Sequence, residues 1–177
     1  MKIILIGYRA VGKTTVGKLL AGRLEIPFYD SDTLVEEMSG ATVKMIVANY
    51  GWNYFRRKET AAIKLLTRRG QCVVATGGGA VLRAGNVKLL QQMGKIVWLD
   101  APLEDIIDRL RDDMHKDAKR PQFTSDDLAA ETASVLAERR PLYAGIANLV
   151  VNTAGKKIEQ VTEVILQNLS PVAGGPR

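Results

Sequence analysis

The sequence predicts an α/β fold in which a parallel β-sheet is covered by helices on both faces. Short apolar runs alternate with longer segments of helical period, which is the pattern of consecutive βαβ units. Several of these runs are apolar throughout, as expected for strands buried on both faces. A glycine-containing loop, Gly7 to Gly12, separates the first run from the first helical segment. These features predict a three-layer domain that binds ligands where its strands end.

Five strands and a series of helices follow from this pattern. The predicted strands are Lys2 to Ile6, Pro27 to Tyr29, Gln71 to Thr76, Lys95 to Leu99 and Leu149 to Asn152. The predicted helices are Lys13 to Leu24, one beginning near Thr33, Trp52 to Arg69, Leu103 to Arg111, Asp126 to Ala147 and Lys157 to Leu169. Pro141 falls inside the segment from Asp126, where we expect a kink or break because proline has no amide hydrogen.

Length and composition indicate one globular domain, residues 1–169, followed by a disordered tail. The chain has 177 residues, of which 46% are hydrophobic, and its tail at residues 170–177 is rich in proline and glycine. No apolar run approaches the length that spans a bilayer, and the first strand enters the glycine loop directly. We therefore expect a cytoplasmic protein without membrane association. A monomer is a separate expectation that does not follow from the composition.

The charges favour an anionic partner without identifying it. There are 25 basic and 19 acidic side chains, giving a net charge of +6. The basic residues are scattered and are not interleaved with aromatic residues, so nucleic-acid binding is not expected. Cys72 has no cysteine partner for a disulfide, and His115 alone offers no metal-ligand cluster.

The strongest motif is Gly7-Tyr8-Arg9-Ala10-Val11-Gly12-Lys13-Thr14, which fits G-x-x-x-x-G-K-[ST] between a strand and a helix. Its glycines let consecutive N–H groups face nucleotide phosphates, and the helix that follows presents its positive end to the same anion. Lys13 is expected to bind the β- and γ-phosphates, and the Thr14 hydroxyl to bind Mg²⁺. The predicted ATP-binding set in this segment is Gly7, Ala10, Val11, Gly12, Lys13, Thr14 and Thr15.

Polar or glycine residues follow the second and third strands. Asp30 and Asp32 stand at the carboxyl end of the second strand, where open α/β sheets bind ligands, although either could instead cap the helix that follows. The third strand ends in Thr76-Gly77-Gly78-Gly79, where the backbone could approach a ligand closely or simply turn.

Three further segments contain arginines suited to anion binding. Arg56 and Glu59 share a helical face, so Glu59 either prepares Arg56 to grip a carboxylate or forms an ordinary surface ion pair. Lys119-Arg120-Pro121 lies in a polar stretch that suits a mobile lid or an exposed loop. Arg139-Arg140-Pro141-Leu142-Tyr143 places two arginines beside the helical proline.

The order of these motifs (P-loop, D-x-D, F-R-x-x-E, T-G-G-G, R-P and R-x-P-L-Y) resembles that of the shikimate kinase family, over about Lys2 to Leu169. The resemblance implies a nucleoside-monophosphate-kinase-like P-loop fold with a five-stranded parallel sheet in the order 2-3-1-4-5. It implies a substrate-binding segment at about residues 31–60 and a lid at about residues 112–124. It also implies transfer of the γ-phosphoryl group of ATP to the 3-hydroxyl of shikimate, in aromatic amino acid biosynthesis.

Position by position, the resemblance implies roles for individual residues. Asp32 would bind the reacting shikimate hydroxyl, Arg56 and Arg139 the shikimate carboxylate, and the Gly78 backbone the same ligand. Asp30 would hold Mg²⁺ through water. In this scheme Lys13 and Asp32 are catalytic, together with the lid arginine described next.

The nucleotide side of the site carries two more implied roles. Arg120 would be the catalytic lid arginine that swings onto the phosphates, and Arg109 would lie against adenine. The spacing from Arg109 to Arg120 looks longer than is typical of the family, so Arg111 is an alternative adenine contact. Lys156, the nearest basic residue after the fifth strand, is assigned no role.

The remaining departures from the family pattern are local. Gly51-Trp52-Asn53 replaces a more usual Gly-Glu pair, Gln122-Phe123 follows the R-P motif in place of two leucines, and Asn152 stands where Asp is common. Trp52 lies one helical turn before Arg56, so we expect its indole beside the bound acid; burial in the core is the alternative. Trp98, in an apolar strand, is expected to pack between sheet and helix.

Two other functions stay open on the residues alone. A P-loop kinase acting on gluconate or a nucleoside monophosphate would share the nucleotide site but needs a different anion pattern. A nucleotide-binding switch would turn over nucleotide in response to a macromolecule. Paired arginines at Arg56 and Arg139 are explained by a hydroxylated acid with one carboxylate, and an assay of ATP consumption across candidate acceptors would separate the alternatives.

Overall fold

A computed structural model, which describes residues 2–116 and 128–169, contains one five-stranded parallel sheet. The strands are β1 (Lys2–Ile6), β2 (Phe28–Asp30), β3 (Val73–Ala75), β4 (Gly94–Asp100) and β5 (Leu149–Asn152). Their order is β2-β3-β1-β4-β5, which confirms the predicted order, and every pairing is parallel. The central strand β1 therefore pairs with β3 and β4. The loops that follow these three parallel strands lie side by side at the carboxyl ends of the strands.

Helices cover both faces of the sheet. They are α1 (Lys13–Leu24), α2 (Ser31–Ser39), α3 (Val43–Thr67), α4 (Ala84–Met93), α5 (Leu103–Lys116), α6 (Leu128–Ile146) and α7 (Ile158–Leu169). A short 3₁₀ turn, Ala80–Leu82, precedes α4. None of the described helices is long and apolar enough to cross a lipid bilayer.

The core is divided by the sheet because adjacent residues of a strand face opposite ways. Ile3 and Leu5 of β1 pack on one face, in a cluster that includes residues of α1, α5, α6 and α7. Ile4 and Ile6 pack on the other face, with residues of α3, α4 and α6. Each such buried aliphatic side chain contributes about 1.5–3 kcal/mol to folding. The prediction of strands buried on both faces is confirmed for β1, β3 and most of β4, whereas β2 and β5, at the two edges of the sheet, are partly exposed.

A third, smaller cluster holds α2 against α3. It contains Val35, Ile46, Phe55 and Ala62, all of them buried. The first residues of α3 are capped by Thr42, whose Oγ1 accepts a hydrogen bond from the Met45 amide at 3.3 Å. Three of these four residues, Val35, Ile46 and Phe55, lie within the predicted substrate-binding segment, residues 31–60.

The structure corrects several predicted helices. α3 begins at Val43, not Trp52, but its backbone leaves helical geometry at Gly51, where φ is 76° and ψ is 168°. The predicted start therefore coincides with this interruption, and the turns before it were missed. α4 was missed entirely, and α5 continues to Lys116, beyond the predicted end at Arg111. The break considered at Pro141 is absent, since α6 continues through it to Ile146.

Two predicted features fall partly or wholly outside the described residues. Arg120 and most of the predicted lid, from residue 117 onward, lie outside the described residues, as does the tail at 170–177. Residues 112–116 of the predicted lid belong to α5.

Candidate active site

The P-loop occupies the turn between β1 and α1, as predicted. Gly12 directly precedes α1 in the left-handed region, with φ 91°, a conformation that glycine adopts without strain. No side chain caps α1, so the first-turn N–H groups stay available to an anion. Lys13 Nζ donates to the Tyr8 carbonyl at 2.6 Å, which holds the lysine across the loop. This arrangement suits the binding of nucleotide phosphates.

Thr14 and Asp30 come together from neighbouring elements. The Thr14 hydroxyl donates to Asp30 Oδ2 at 2.9 Å. Asp30 ends β2, and its Oδ1 accepts from the Asp32 amide at 3.0 Å, so that it also caps α2. Asp30 therefore takes the capping role that was considered for an aspartate at this position, while its other carboxylate oxygen contacts Thr14. The paired oxygens are hard ligands of the kind Mg²⁺ prefers.

Asp32 is in the first turn of α2, and its carboxyl group lies near that of Glu59 from α3. Its Oδ1 is buried and has no hydrogen-bond partner within the described part of the chain. Burial, reinforced by the negative charges of Asp30 and Glu59, raises the pKa of Asp32 to about 7, while Lys13 and Arg56 oppose the shift. A carboxyl group with this pKa can exchange a proton near neutral pH.

Arg56 is held in place by Glu59. Its Nη1 donates to Glu59 Oε1 at 2.8 Å, and the Glu59 side chain is completely buried, so the alternative of a surface ion pair is wrong. Burial raises the pKa of Glu59, while the positive charge of Arg56 opposes the shift. The guanidinium also lies over the rings of Trp52 and Phe55, at 5.3 and 5.2 Å. Arg56 is thus oriented from two sides.

The triple glycine after β3 makes room for this guanidinium. A Cβ at Gly79 would lie 2.1 Å from Arg56 Nη2, far inside van der Waals contact. The Gly78 carbonyl accepts a hydrogen bond from the Tyr143 hydroxyl at 2.5 Å, and a Cβ at Gly78 would lie 3.7 Å from Arg139 Nη1. The segment is therefore a close-packed wall of the site and not only a turn.

The two arginines of α6 point to different places. Arg139 lies near Gly78 and lies 6.0 Å from the ring centre of Tyr8 in the P-loop. Arg140 donates to the Ala101 carbonyl at 2.7 Å and lies 3.3 Å from Asp100, at the end of β4. Only Arg139 is directed toward the candidate site.

A cleft of about 400 Å³ is lined by both arginines that were predicted to bind a carboxylate. It is lined by Trp52, Asn53, Arg56, Leu82, Arg83 and Arg139. Both predicted carboxylate ligands, Arg56 and Arg139, are among them. Trp52 is 53% exposed, so the alternative of burial in the core is wrong. Trp98 is buried and packs 5.8 Å from the ring of Tyr143, which confirms its predicted packing role.

Arg109 lies on the nucleotide side. Its guanidinium donates to the Ala10 carbonyl at 3.4 Å and to Thr153 Oγ1 at 3.1 Å, joining the P-loop to the segment after β5. Arg111 is exposed and lies 3.5 Å from Asp108 on its own helix. Between the two alternatives, Arg109 is the residue next to the P-loop.

The residues of the site that were not predicted from the sequence include Arg83 and Ser31. Arg83 lines the cleft although no motif contains it, and Ser31 links two strand ends by accepting a hydrogen bond from the Gly77 amide at 2.9 Å. The available signal for Arg83 was its position shortly after the triple glycine, at the same edge of the sheet.

Comparison with known proteins supports one family. The family model described as shikimate kinase matches residues 9–170. A shikimate kinase from Syntrophus aciditrophicus is 39% identical over 173 residues, covering 93% of this chain and 89% of that protein. One from Nitratidesulfovibrio vulgaris is 44% identical over 151 residues, covering 85% of each chain.

Solved structures agree with the sequence comparisons. A shikimate kinase from Acinetobacter baumannii in complex with shikimate superposes with a TM-score of 0.88 and 35% identity, covering 95% of this chain and 92% of that one. The chain therefore belongs to the shikimate kinase family.

Proposed function

We propose that this protein transfers the γ-phosphoryl group of ATP to the 3-hydroxyl of shikimate, giving shikimate 3-phosphate and ADP. The observation that carries the proposal is the meeting of a P-loop, a partly buried aspartate and an arginine-lined cleft at one edge of the sheet. The relatives named as shikimate kinases, one of them solved with shikimate, support the choice of acceptor. The product would serve chorismate and aromatic amino acid biosynthesis.

ATP is assigned to the P-loop side. The loop amides and Lys13 would bind the phosphates, with Gly7, Ala10, Val11, Gly12, Lys13, Thr14 and Thr15 as the contact set. Arg109, beside Ala10 and Thr153, is the proposed adenine contact. Arg120 is proposed as the lid cation. These positive groups would neutralise charge on the transferring phosphoryl group, which is the main source of catalysis in this chemistry.

The oxygens of Thr14 and Asp30 fit a Mg²⁺ ion that accompanies the nucleotide. They stand 2.9 Å apart, at the ends of two adjacent elements. With only these two protein oxygens assigned, most of the ion's remaining ligands would be water and phosphate, as is usual for Mg²⁺. When bound, the ion would offset negative charge on the β- and γ-phosphates.

Shikimate is assigned to the arginine-lined cleft. Arg56 and Arg139 present planar guanidinium groups that match a carboxylate in two hydrogen bonds each. Glu59 orients Arg56, and the Gly78 backbone forms the adjoining wall. A substrate with one carboxylate and a hydroxyl directed to Asp32 fits this arrangement.

Asp32 would orient the attacking hydroxyl and accept its proton. The hydroxyl oxygen bonds to the γ-phosphorus, the bond from that phosphorus to the bridging oxygen of ADP breaks, and the hydroxyl proton passes to the Asp32 carboxylate. The transition state is loose, so proton removal can be late and a strong base is not needed. A pKa of about 7 for Asp32 is sufficient for that task.

The functional unit is proposed to be a cytoplasmic monomer, residues 1–169. An ATP-consuming reaction suits the cytoplasm. Light scattering coupled to size exclusion would test the monomer, since a stable dimer would elute with twice the mass.

A coupled assay for ADP tests the reaction. The purified protein is supplied with ATP and Mg²⁺ and with shikimate, gluconate or a nucleoside monophosphate in turn. We expect ADP only with shikimate, and phosphorus and proton NMR of the product should place the phosphate on the 3-hydroxyl. Comparable turnover of gluconate or of a nucleotide would refute the proposed substrate, and turnover without any acceptor would indicate an ATPase.

A further inference from the structure

One arginine of the cleft, Arg83, has no role in the scheme above. It follows the 3₁₀ turn after the triple glycine and lines the cleft together with Arg56 and Arg139. Its side chain is half-buried and not extended into solvent. The cleft therefore contains three guanidinium groups, whereas the proposed roles use two.

Helix capping does not explain this arginine. Arg83 occupies the N-cap position of α4, but its side chain makes no capping hydrogen bond. The capping contacts belong to its backbone, whose carbonyl accepts from the amides of Asn86 and Val87 at 2.9 and 3.1 Å. Asn, Asp, Ser or Thr would serve better at an N-cap. The helix start thus gives no reason for a guanidinium here.

Structural ion pairing does not explain it either. Among the residues that the structure describes, the Arg83 guanidinium has no hydrogen bond and no ion pair, whereas Arg56 is held by Glu59 and Arg140 by Asp100. Arg83 is near enough to Glu59 for its positive charge to lower the pKa of that carboxyl, but Arg56 is the larger influence. The Arg83 side chain thus lines the cleft without forming an ion pair with a carboxylate of the described residues.

The charges of the cleft point to an anionic ligand. Three guanidinium groups line it, and the buried carboxylate of Glu59 lies behind Arg56. The first turn of α4, next to Arg83, contains no acidic residue that would offset the positive end of that helix. Positive charge is therefore in excess in the absence of ligand.

We propose that Arg83 is a third substrate-binding residue of the acid cleft, which increases affinity and selectivity for the carboxylate form of the acceptor. This inference rests on the proposed function, since the acceptor is taken to be shikimate. Arg56 and Arg139 supply paired hydrogen bonds to the carboxylate, and Arg83 supplies a further charge-assisted hydrogen bond. Its contribution is made equally in the ground state and the transition state, so it acts on KM more than on kcat.

The test compares Arg83→Gln and Arg83→Lys with a matched control, Lys88→Gln, which removes one positive charge from an exposed position of the same helix. Steady-state kinetics are measured with shikimate and with its uncharged methyl ester, at saturating ATP. For Arg83→Gln we expect the KM for shikimate to rise roughly tenfold, the scale of one charge-assisted hydrogen bond, with kcat within about twofold. Arg83→Lys should lose less, and Lys88→Gln should match the wild type.

The methyl ester separates charge recognition from packing. Arg83→Gln should lower kcat/KM for shikimate and leave kcat/KM for the ester nearly unchanged. Equal losses on acid and ester, or an unchanged KM for shikimate, would overturn the inference. The inference would also be overturned if the KM of Arg83→Gln for shikimate returned to the wild-type value at roughly pH 9. Arg83 would then act only by keeping Glu59 ionised.

The controls also separate this inference from the proposed function. If the wild-type protein turns over shikimate and Arg83→Gln behaves like Lys88→Gln, only the inference fails. If the wild-type protein does not phosphorylate shikimate, the proposed function fails and the inference fails with it. Thermal unfolding of each variant verifies that all are compared in the folded state.

Discussion

Replacing Asp32 by Asn should stabilise the folded protein while removing its activity. The carboxyl group has a pKa of about 7 in the folded protein against 3.8 when it is unperturbed, mainly because burial disfavours its charge. Between these two values the folded state binds more protons than the unfolded state, so stability falls as pH rises through that window. Above pH 7 the ionised carboxylate therefore destabilises the fold, and Asn removes this cost.

The size of the effect follows from the same two values. The difference between 3.8 and about 7 corresponds to about 4 kcal/mol, an upper limit because Asp32 is partly exposed and interacts with other charged groups. About half of that, roughly 2 kcal/mol, would raise the unfolding temperature by roughly 4 to 8 °C for a chain of this length. At pH 5 the gain should fall to less than half, since the folded carboxyl is then mostly protonated.

Calorimetry and the coupled assay measure the two sides of this prediction. Thermal unfolding of wild type and Asp32→Asn is recorded without ligands at pH 8 and pH 5, with Asp108→Asn, an exposed position of α5, as the control. Turnover of shikimate by Asp32→Asn should fall roughly a hundredfold or more. In the wild type, kcat/KM should decline below about pH 7. Unchanged stability at pH 8, or substantial turnover by the variant, would contradict the reasoning.

Three further predictions concern other parts of the site. Lys13→Ala should lower kcat roughly a hundredfold to a thousandfold with an unchanged circular dichroism spectrum, because it removes charge from the phosphate site; turnover near the wild-type value would exclude that role. Arg139→Lys should raise the KM for shikimate roughly tenfold and retain ATP affinity, because lysine lacks the planar guanidinium group that binds a carboxylate through two hydrogen bonds. The control Arg140→Lys should change neither the KM nor the ATP affinity. Equal loss of both affinities in Arg139→Lys would indicate that Arg139 is structural. In Trp98→Phe, the emission of Trp52 should change saturably with shikimate and lose that response when Arg139→Ala is added; a flat titration in an active variant would place Trp52 away from the acid.

The central strands could be predicted because strands that are buried on both faces have continuous apolar sequences. Ile3 to Ile6 is apolar at every position, and the structure sends alternate residues into two different clusters. Their order is different in kind, because β1 pairs with β3 across the whole of α1, α2 and α3. Nothing in the local pattern of either strand specifies that partner. The correct order came from the family resemblance.

The missed helices are those whose local signals are weak. α4 has Gly85 and Asn86 in its first turn, and both are poor helix formers. Asn86 is nevertheless buried, and its side-chain amide donates a hydrogen bond to the Ala80 carbonyl at 3.1 Å. Tertiary contacts therefore outweigh local preference. The early turns of α3 were hidden by Gly51, whose positive φ interrupts the helix where the sequence suggested a beginning. Arg83 was missed for the same reason, since its direction depends on where α4 starts.

The motif Arg139-Arg140-Pro141-Leu142-Tyr143 shows how a short sequence can specify several contacts through helix geometry. Successive helical residues are about 100° apart, whereas residues four apart share a face. Arg139 and Tyr143 accordingly both reach the Gly78 region, the tyrosine through its hydroxyl, while Arg140 turns away to Asp100. A break of the helix at Pro141 would separate Arg139 from Tyr143. Because α6 continues through the proline, Arg139 and Tyr143 belong to one rigid helix. The hydrogen bond from Tyr143 to the Gly78 carbonyl therefore also fixes the position of Arg139 relative to the cleft.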